Sequence, residues 1–146
     1  MDLTVEATLD ATPAAVLAEV ADLPGYPGWH GMVKRVEPDG DGWLVDLGAR
    51  LGPFTRTKRV RLVRDGSKEA RAPGRVRFVR SERDREEFGG WELDAVVDPA
   101  VGEGPCTLSF RLRYDGSSPL IGLLEPLLRA ETDRSADRLR RRLAGG

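Results

Sequence analysis

ATPAAVLAEVADLPGYPGWHGMVKRVE, residues 11–37, runs from a helix through a turn into a strand, and its reading decides the fold. Thr12 followed by Pro13 marks a helix start: the hydroxyl can cap free N–H groups, and the missing proline donor is harmless at the first helical position. Val16, Leu17, Val20 and Ala21 fall on one helical face. Pro24, Gly25, Pro27 and Gly28 cannot continue the helix, so it is short, with a second helical turn expected around Tyr26 to His30. Met32 to Glu37 then alternates as a strand. Two large aromatic side chains, Tyr26 and Trp29, are thereby placed in a segment built to turn.

Upstream, Leu3, Val5, Ala7 and Leu9 alternate with Thr4, Glu6 and Thr8, the pattern of a strand with one buried face. Downstream the period stays at two as far as residue 115. PDGDG at 38–42 reads as a hairpin turn, and Trp43 to Leu51 is its second strand. Phe54 to Val63 follows with Val60 and Leu62 inward, then a loop at 65–74. Arg75 to Arg83 has Val76 and Phe78 inward, and Phe88 to Val97 has Trp91, Leu93, Ala95 and Val97 on one side. Cys106, Leu108, Phe110, Leu112 and Tyr114 make the last strand. Seven strands joined by consecutive hairpins imply a mostly antiparallel sheet. Leu120 to Leu143 covers it as a long helix ending at Gly145: Leu120, Leu124, Leu127, Leu128, Ser135, Leu139 and Leu143 recur every three or four residues, and Pro126 belongs near its start. The expected class is α+β.

Composition narrows the function. A chain of 146 residues with 40% hydrophobic content and no repeat reads as one domain over residues 1–146. The single cysteine, Cys106, excludes an internal disulfide framework, and MDLTVEATLD carries acids where a signal peptide needs a basic start, so the cytoplasm is the expected location. No apolar run is long enough for stable membrane insertion. With 23 basic and 24 acidic side chains there is no global field to attract nucleic acid, and none is expected as a partner. Metal ligation needs several converging ligands, whereas the chain has one histidine and one cysteine; no metal and no cofactor are expected. Oligomeric state is not encoded in any pattern here.

The order strand, helix, short helix, six strands, long helix resembles the helix-grip fold of the START-like (SRPBCC) superfamily. Within it the chain looks most like the polyketide cyclase/dehydrase and lipid transport group, close to coenzyme Q-binding proteins. The features that carry this are residues 11–37, similar to the family's helix, Tyr-Pro-x-Trp and following strand, and FGGWEL at 88–93, similar to its Gly-x-Trp. The resemblance implies a curved seven-stranded antiparallel sheet wrapped around the long C-terminal helix, with two short helices between the first two strands. It also implies an apolar cavity between sheet and helix, with a hydrophobic small molecule as the partner.

In that frame Tyr26 and Trp29 are expected to form the cavity's lid; the alternative is that both rings plug the core. His30, beside Trp29 in a glycine-flanked turn, is expected to face solvent; the alternative is acid–base work in the pocket, where relatives that cyclise polyketides place polar side chains. Strand parity sends Arg56 and Lys58 to the same side as Val60 and Leu62, and Arg80 and Glu82 to the side of Val76 and Phe78. These charges should pair, sit at the open end or bind a polar ligand head, unless the strands have already left the core. With Phe78, Trp91, Phe110 and Leu124 they complete the expected ligand-binding set. No catalytic residue is assigned. Arg59, Arg61, Arg75, Arg77, Arg111 and Arg113 have the opposite parity, that of a solvated convex face, and Arg83 to Glu87 read as a solvated hairpin tip. Glu125 to Arg129 and Asp137 to Arg141 are spaced for (i, i+4) pairs. Three functions follow: a carrier of a lipid, quinone or polyketide-like molecule; a polyketide cyclase or dehydratase using the charged pocket residues; and a ribosome- or membrane-associated module using the arginines of the last helix.

Overall fold

The computed structural model describes residues 1–51, 53–81, 90–114 and 121–145; for 49–51, 54–56 and 121–124 the backbone alone is described. Strand β1 (Asp2–Leu9) buries Leu3, Val5, Ala7 and Leu9, as its alternation requires. Helix α1 (Pro13–Ala21) starts where the Ala15 N–H donates to the Thr12 hydroxyl at 3.2 Å, and it buries Val16 and Val20. A 3₁₀ segment, Leu23–Gly28, follows; it starts earlier than the turn expected at Tyr26 to His30, because Asp22 ends α1 and the next residues tighten at once.

Then come β2 (Val33–Asp39), β3 (Gly42–Leu51), β4 (Phe54–Arg64), β5 (Arg75–Arg80), β6 (Trp91–Asp98), β7 (Cys106–Tyr114) and α2 (Ile121–Gly145). The turn after β2 is shorter than 38–42. Gly40 at φ 60° and Asp41 close a two-residue hairpin, so Pro38 and Asp39 remain in the ladder opposite Trp43 and Gly42. β5 ends at Arg80 and β6 begins at Trp91; Phe88, Glu82 and the hairpin tip at 83–87 lie outside the described residues, as does Leu120.

The seven strands form one antiparallel sheet in the order β1-β7-β6-β5-β4-β3-β2. The first two strands are therefore its opposite edges. The chain between them, residues 10–32, has to travel from one edge to the other, and it does so over the inner face: Tyr26 reaches both Phe78 on β5 and Phe110 on β7, with ring centroids 6.2 Å apart in each case. Side chains of strands three places apart meet on this face: the Lys58 ammonium on β4 lies 5.6 Å from the Tyr114 ring centroid on β7.

α2 lies along β1 and buries Leu128, Thr132, Ser135 and Leu139. Leu127, counted on the apolar stripe from its spacing, is instead 45% exposed: one residue of rotation from Leu128 carries it off the buried face. The side chain of Leu124 is outside the description. Of the two expected helical pairs, Glu125–Arg129 is present at 3.9 Å, whereas Asp137 pairs with Arg140 at 2.6 Å, one residue nearer than Arg141. Two arginines of α2 reach the free edge of β1, where Arg129 donates to the Thr4 carbonyl at 3.3 Å and Arg140 to that of Thr8 at 3.2 Å.

The outer face of the sheet is laced by charge. Arg59 pairs with Asp46 at 2.8 Å, Arg61 with Asp39 at 2.9 Å, and Arg75 with Asp94 at 2.7 Å. Arg77 pairs with Glu92 at 2.8 Å, Arg113 with Glu92 at 3.4 Å, and Arg111 with Asp2. The six arginines assigned by parity to the convex face are all on it.

Candidate functional site

The inner face divides into two groups of side chains. The first surrounds the crossing segment. Tyr26 and Trp29 are 4.6 Å apart between ring centroids, Trp29 and Phe110 are 6.1 Å apart, and His30 and Phe110 are 5.1 Å apart. Phe78 joins through Tyr26 and through Trp43, the latter at 5.7 Å. All except Trp43 are buried. Tyr26 and Trp29, expected as a lid, are thus interior rings, and the Tyr26 hydroxyl donates to the Val20 carbonyl at 2.7 Å instead of meeting water at a rim. The crossing of the inner face explains this: a segment that must pass beneath α2 carries its rings into the core.

His30 is the clearest departure from expectation. It is 2% exposed, not solvent-facing. Its Nδ1 accepts the Met32 N–H at 3.3 Å, and burial pushes its pKa down to about 4, against a smaller upward pull from Glu131 and further lowering by Arg138 and Lys34. The ring is therefore neutral at pH 7 and carries its proton on Nε2. A void of about 10 Å³ adjoins it, lined by Val5, Ala7, Leu108 and Phe110 of the sheet and by Thr132, Ser135 and Ala136 of α2, with Trp29 closing the fourth side. On the other flank of α2, a cavity of about 80 Å³ lies between Met32, Lys34 and Gly48 and the helical residues Leu128, Glu131 and Arg134.

The second group lies toward the start of α2, at the end of the sheet where Met1 donates its ammonium to the Tyr114 carbonyl at 2.8 Å. The Trp91 and Tyr114 rings lie 4.7 Å apart between centroids, tilted by 33°, and the Lys58 ammonium lies 5.6 Å from the Tyr114 centroid. Arg80 lines an open recess at this end of the sheet, shared with Met1, Trp91 and Tyr114 and with Asp2, Val79, Glu92 and Arg113 of the outer parity. Of the ten expected ligand-binding residues, the structure brings Tyr26, Trp29, Phe78 and Phe110 together in one group and Lys58, Arg80 and Trp91 in the other. The Arg56 and Leu124 side chains and all of Glu82 lie outside the description. Tyr114 and Thr132 were not singled out from the sequence, although the first continues the parity of Phe110 and the second sits four residues after Leu128.

Among the described residues no group of three or more His, Cys, Asp or Glu side chains converges as a metal site, and no helix is long and apolar enough to cross a membrane.

A family model described as polyketide cyclase/dehydrase and lipid transport matches residues 1–144. The chain belongs to that family. No curated protein matches it by sequence. Among solved structures, a START superfamily protein from Mycobacterium smegmatis superposes with a TM-score of 0.71 at 14% identity, over 99% of this chain and 97% of that one. Norcoclaurine synthase from Thalictrum flavum gives 0.65 at 16% identity, over 100% and 87%. The Zhui aromatase/cyclase from a Streptomyces species gives 0.55 at 15%, over 99% and 92%. At such identities the likeness is one of fold. This member of the polyketide cyclase/dehydrase and lipid transport family thus has the START-like helix-grip fold, and both family and fold fit a binder of hydrophobic small molecules.

Proposed function

We propose that the protein holds a lipid, quinone or polyketide-like molecule on the inner face of the sheet, beneath the first half of α2, without chemistry of its own. The observation that carries this reading is the change of character along the inner face. Around Leu128 to Leu139 the space under α2 is occupied by rings that leave a void of only about 10 Å³. One step further along the same strands, the aliphatic Leu93 and Leu112 give way to Trp91 and Tyr114, with Lys58 and Arg80 beside them. Apolar walls with a few polar groups at one end are the normal build of a small-molecule site. In this reading Trp91 and Tyr114 line the mouth and Lys58 and Arg80 meet the polar head of the guest; Arg56, Glu82 and Leu124, outside the described side chains, belong to the same set by strand parity and helix period alone.

A second reading, a cyclase or dehydratase in which Lys58 or Arg80 orients an enol, is favoured by the same two cations and by the fold shared with an aromatase/cyclase. A docking role for α2 is disfavoured, because Arg134, Arg138, Arg140 and Arg142 each engage a carboxylate and Arg129 and Arg140 also bind β1.

Native mass spectrometry against a panel of quinones, fatty acids and aromatic polyketides tests the reading. Retention of at least one class is expected, together with a change in tryptophan fluorescence that Trp91→Phe largely removes. No retention and no change across the panel would overturn it.

A further inference from the structure

Two buried N–H donors in the aromatic group have no acceptor. Trp29 Nε1 and His30 Nε2 are both shielded from solvent and unpartnered, and both residues line the void of about 10 Å³ under the middle of α2. The Nε2 proton follows from the Met32 N–H, which occupies Nδ1 as an acceptor. Buried donors without partners are rare in folded proteins, and each costs desolvation that a purely structural core avoids by using apolar side chains.

What faces them is equally selective. The Thr132 hydroxyl donates to the Leu128 carbonyl and the Ser135 hydroxyl to the Glu131 carbonyl, both at 2.8 Å, and the Ser135 oxygen already accepts the Gly31 N–H at 2.9 Å. The remaining walls are apolar. The void is thus lined by both donor-bearing rings, with room on the scale of one oxygen atom. A water placed there would have to pass its own protons to the Thr132 hydroxyl oxygen, the one wall hydroxyl that accepts no other hydrogen bond among the described residues. A carbonyl oxygen accepts two hydrogen bonds and donates none, which matches the site.

We propose that Trp29 and His30 form a two-donor clamp for one carbonyl oxygen of the guest, whose carbon skeleton runs along β7 from Phe110 toward Tyr114. Four residues of strand at about 3.3 Å each give about 13 Å for that skeleton, the length of a medium acyl chain. The inference rests on the binding reading above and adds to it a preference for ketone-bearing guests at the closed end of the site.

The test uses 2-undecanone against n-dodecane, which match in heavy atoms, on the full chain labelled with ¹⁵N. The Trp29 indole N–H resonance should move downfield with the ketone and stay in place with the alkane. His30→Phe, which keeps the ring and removes the donor, should lower the ratio of ketone to alkane affinity about tenfold. The ketone result on the unaltered protein stands by itself if the variant fails to fold. Binding of both probes with no indole shift, or an indole N–H that keeps its contact to exchanging water when ketone is bound, would overturn the clamp and leave the binding reading intact. Failure of both probes to bind, alongside a silent panel, would overturn both.

Discussion

His30 shows how a single residue can carry information that local sequence conceals. Its neighbours Gly28 and Gly31 signal an exposed turn, and by local rules alone the imidazole belongs in water. The ring is buried because residues 10–32 must cross between sheet edges that lie far apart, a constraint set by the position of β7 and invisible within the segment. Burial has a measurable consequence. The folded pKa of about 4 lies below the ordinary 6.5, so between these values the unfolded chain binds a proton that the folded chain does not. Stability from this group is complete above pH 6.5 and is lost as pH falls toward 4, by about 3 kcal/mol in total. Urea unfolding of the protein and of His30→Phe at pH 7 and pH 4 should therefore show a steeper loss for the unaltered chain; equal losses would place the imidazole in contact with solvent. Tyr26 and Trp29 were legible as a noteworthy pair, but whether they line a lid or a core was not, for the same topological reason.

At the scale of elements, α2 was legible in extent and period, and its proline does fall near the start. The spacing rule admitted both Leu127 and Leu128, and only the rotation of about 100° between neighbours separates them. Leu139 is fully buried and Leu127 nearly half exposed. Leu139→Ala should cost about 2–5 kcal/mol by leaving a cavity under the helix, whereas Leu127→Ser should stay within about 0.5 kcal/mol; similar losses for both would mean a different rotation of the helix. The strands were read correctly where one face is apolar and the other polar. Their ends were misplaced at β2 and β5, where the turn chemistry is local and a residue either side of Gly40 is compatible with pairing.

For the whole molecule, the order of elements was enough to name the fold, since alternation and two helix signals leave few ways to build one antiparallel layer with a helical cover. The volume enclosed was not legible. It depends on how far α2 stands from the sheet and on which rings the crossing segment brings beneath it, and neither is a pattern in the chain. The outer charge lattice was legible as parity but not as energy. Asp94 is 5% exposed and binds Arg75 and Arg77, while the Asp46–Arg59 pair lies open to solvent. Asp94→Ala should cost about 2 kcal/mol, since it removes the buried carboxylate that Arg75 and Arg77 share and leaves them only their more exposed partners Glu69, Asp65 and Glu92. Asp46→Ala should leave the unfolding midpoint nearly unchanged and insensitive to salt. Equal effects would mean that the lattice acts as one screened field.

The placement of β1 beside β7 also sets a timetable during synthesis. Asp2 and Arg111 meet across 109 positions of chain, so the first strand of this sheet waits for its last one before it has a neighbour. The hairpins from β2 onward pair as they emerge, through short-range contacts. Until β7 arrives, β1 remains an unpaired strand with one apolar face, open to a chaperone or to misassembly.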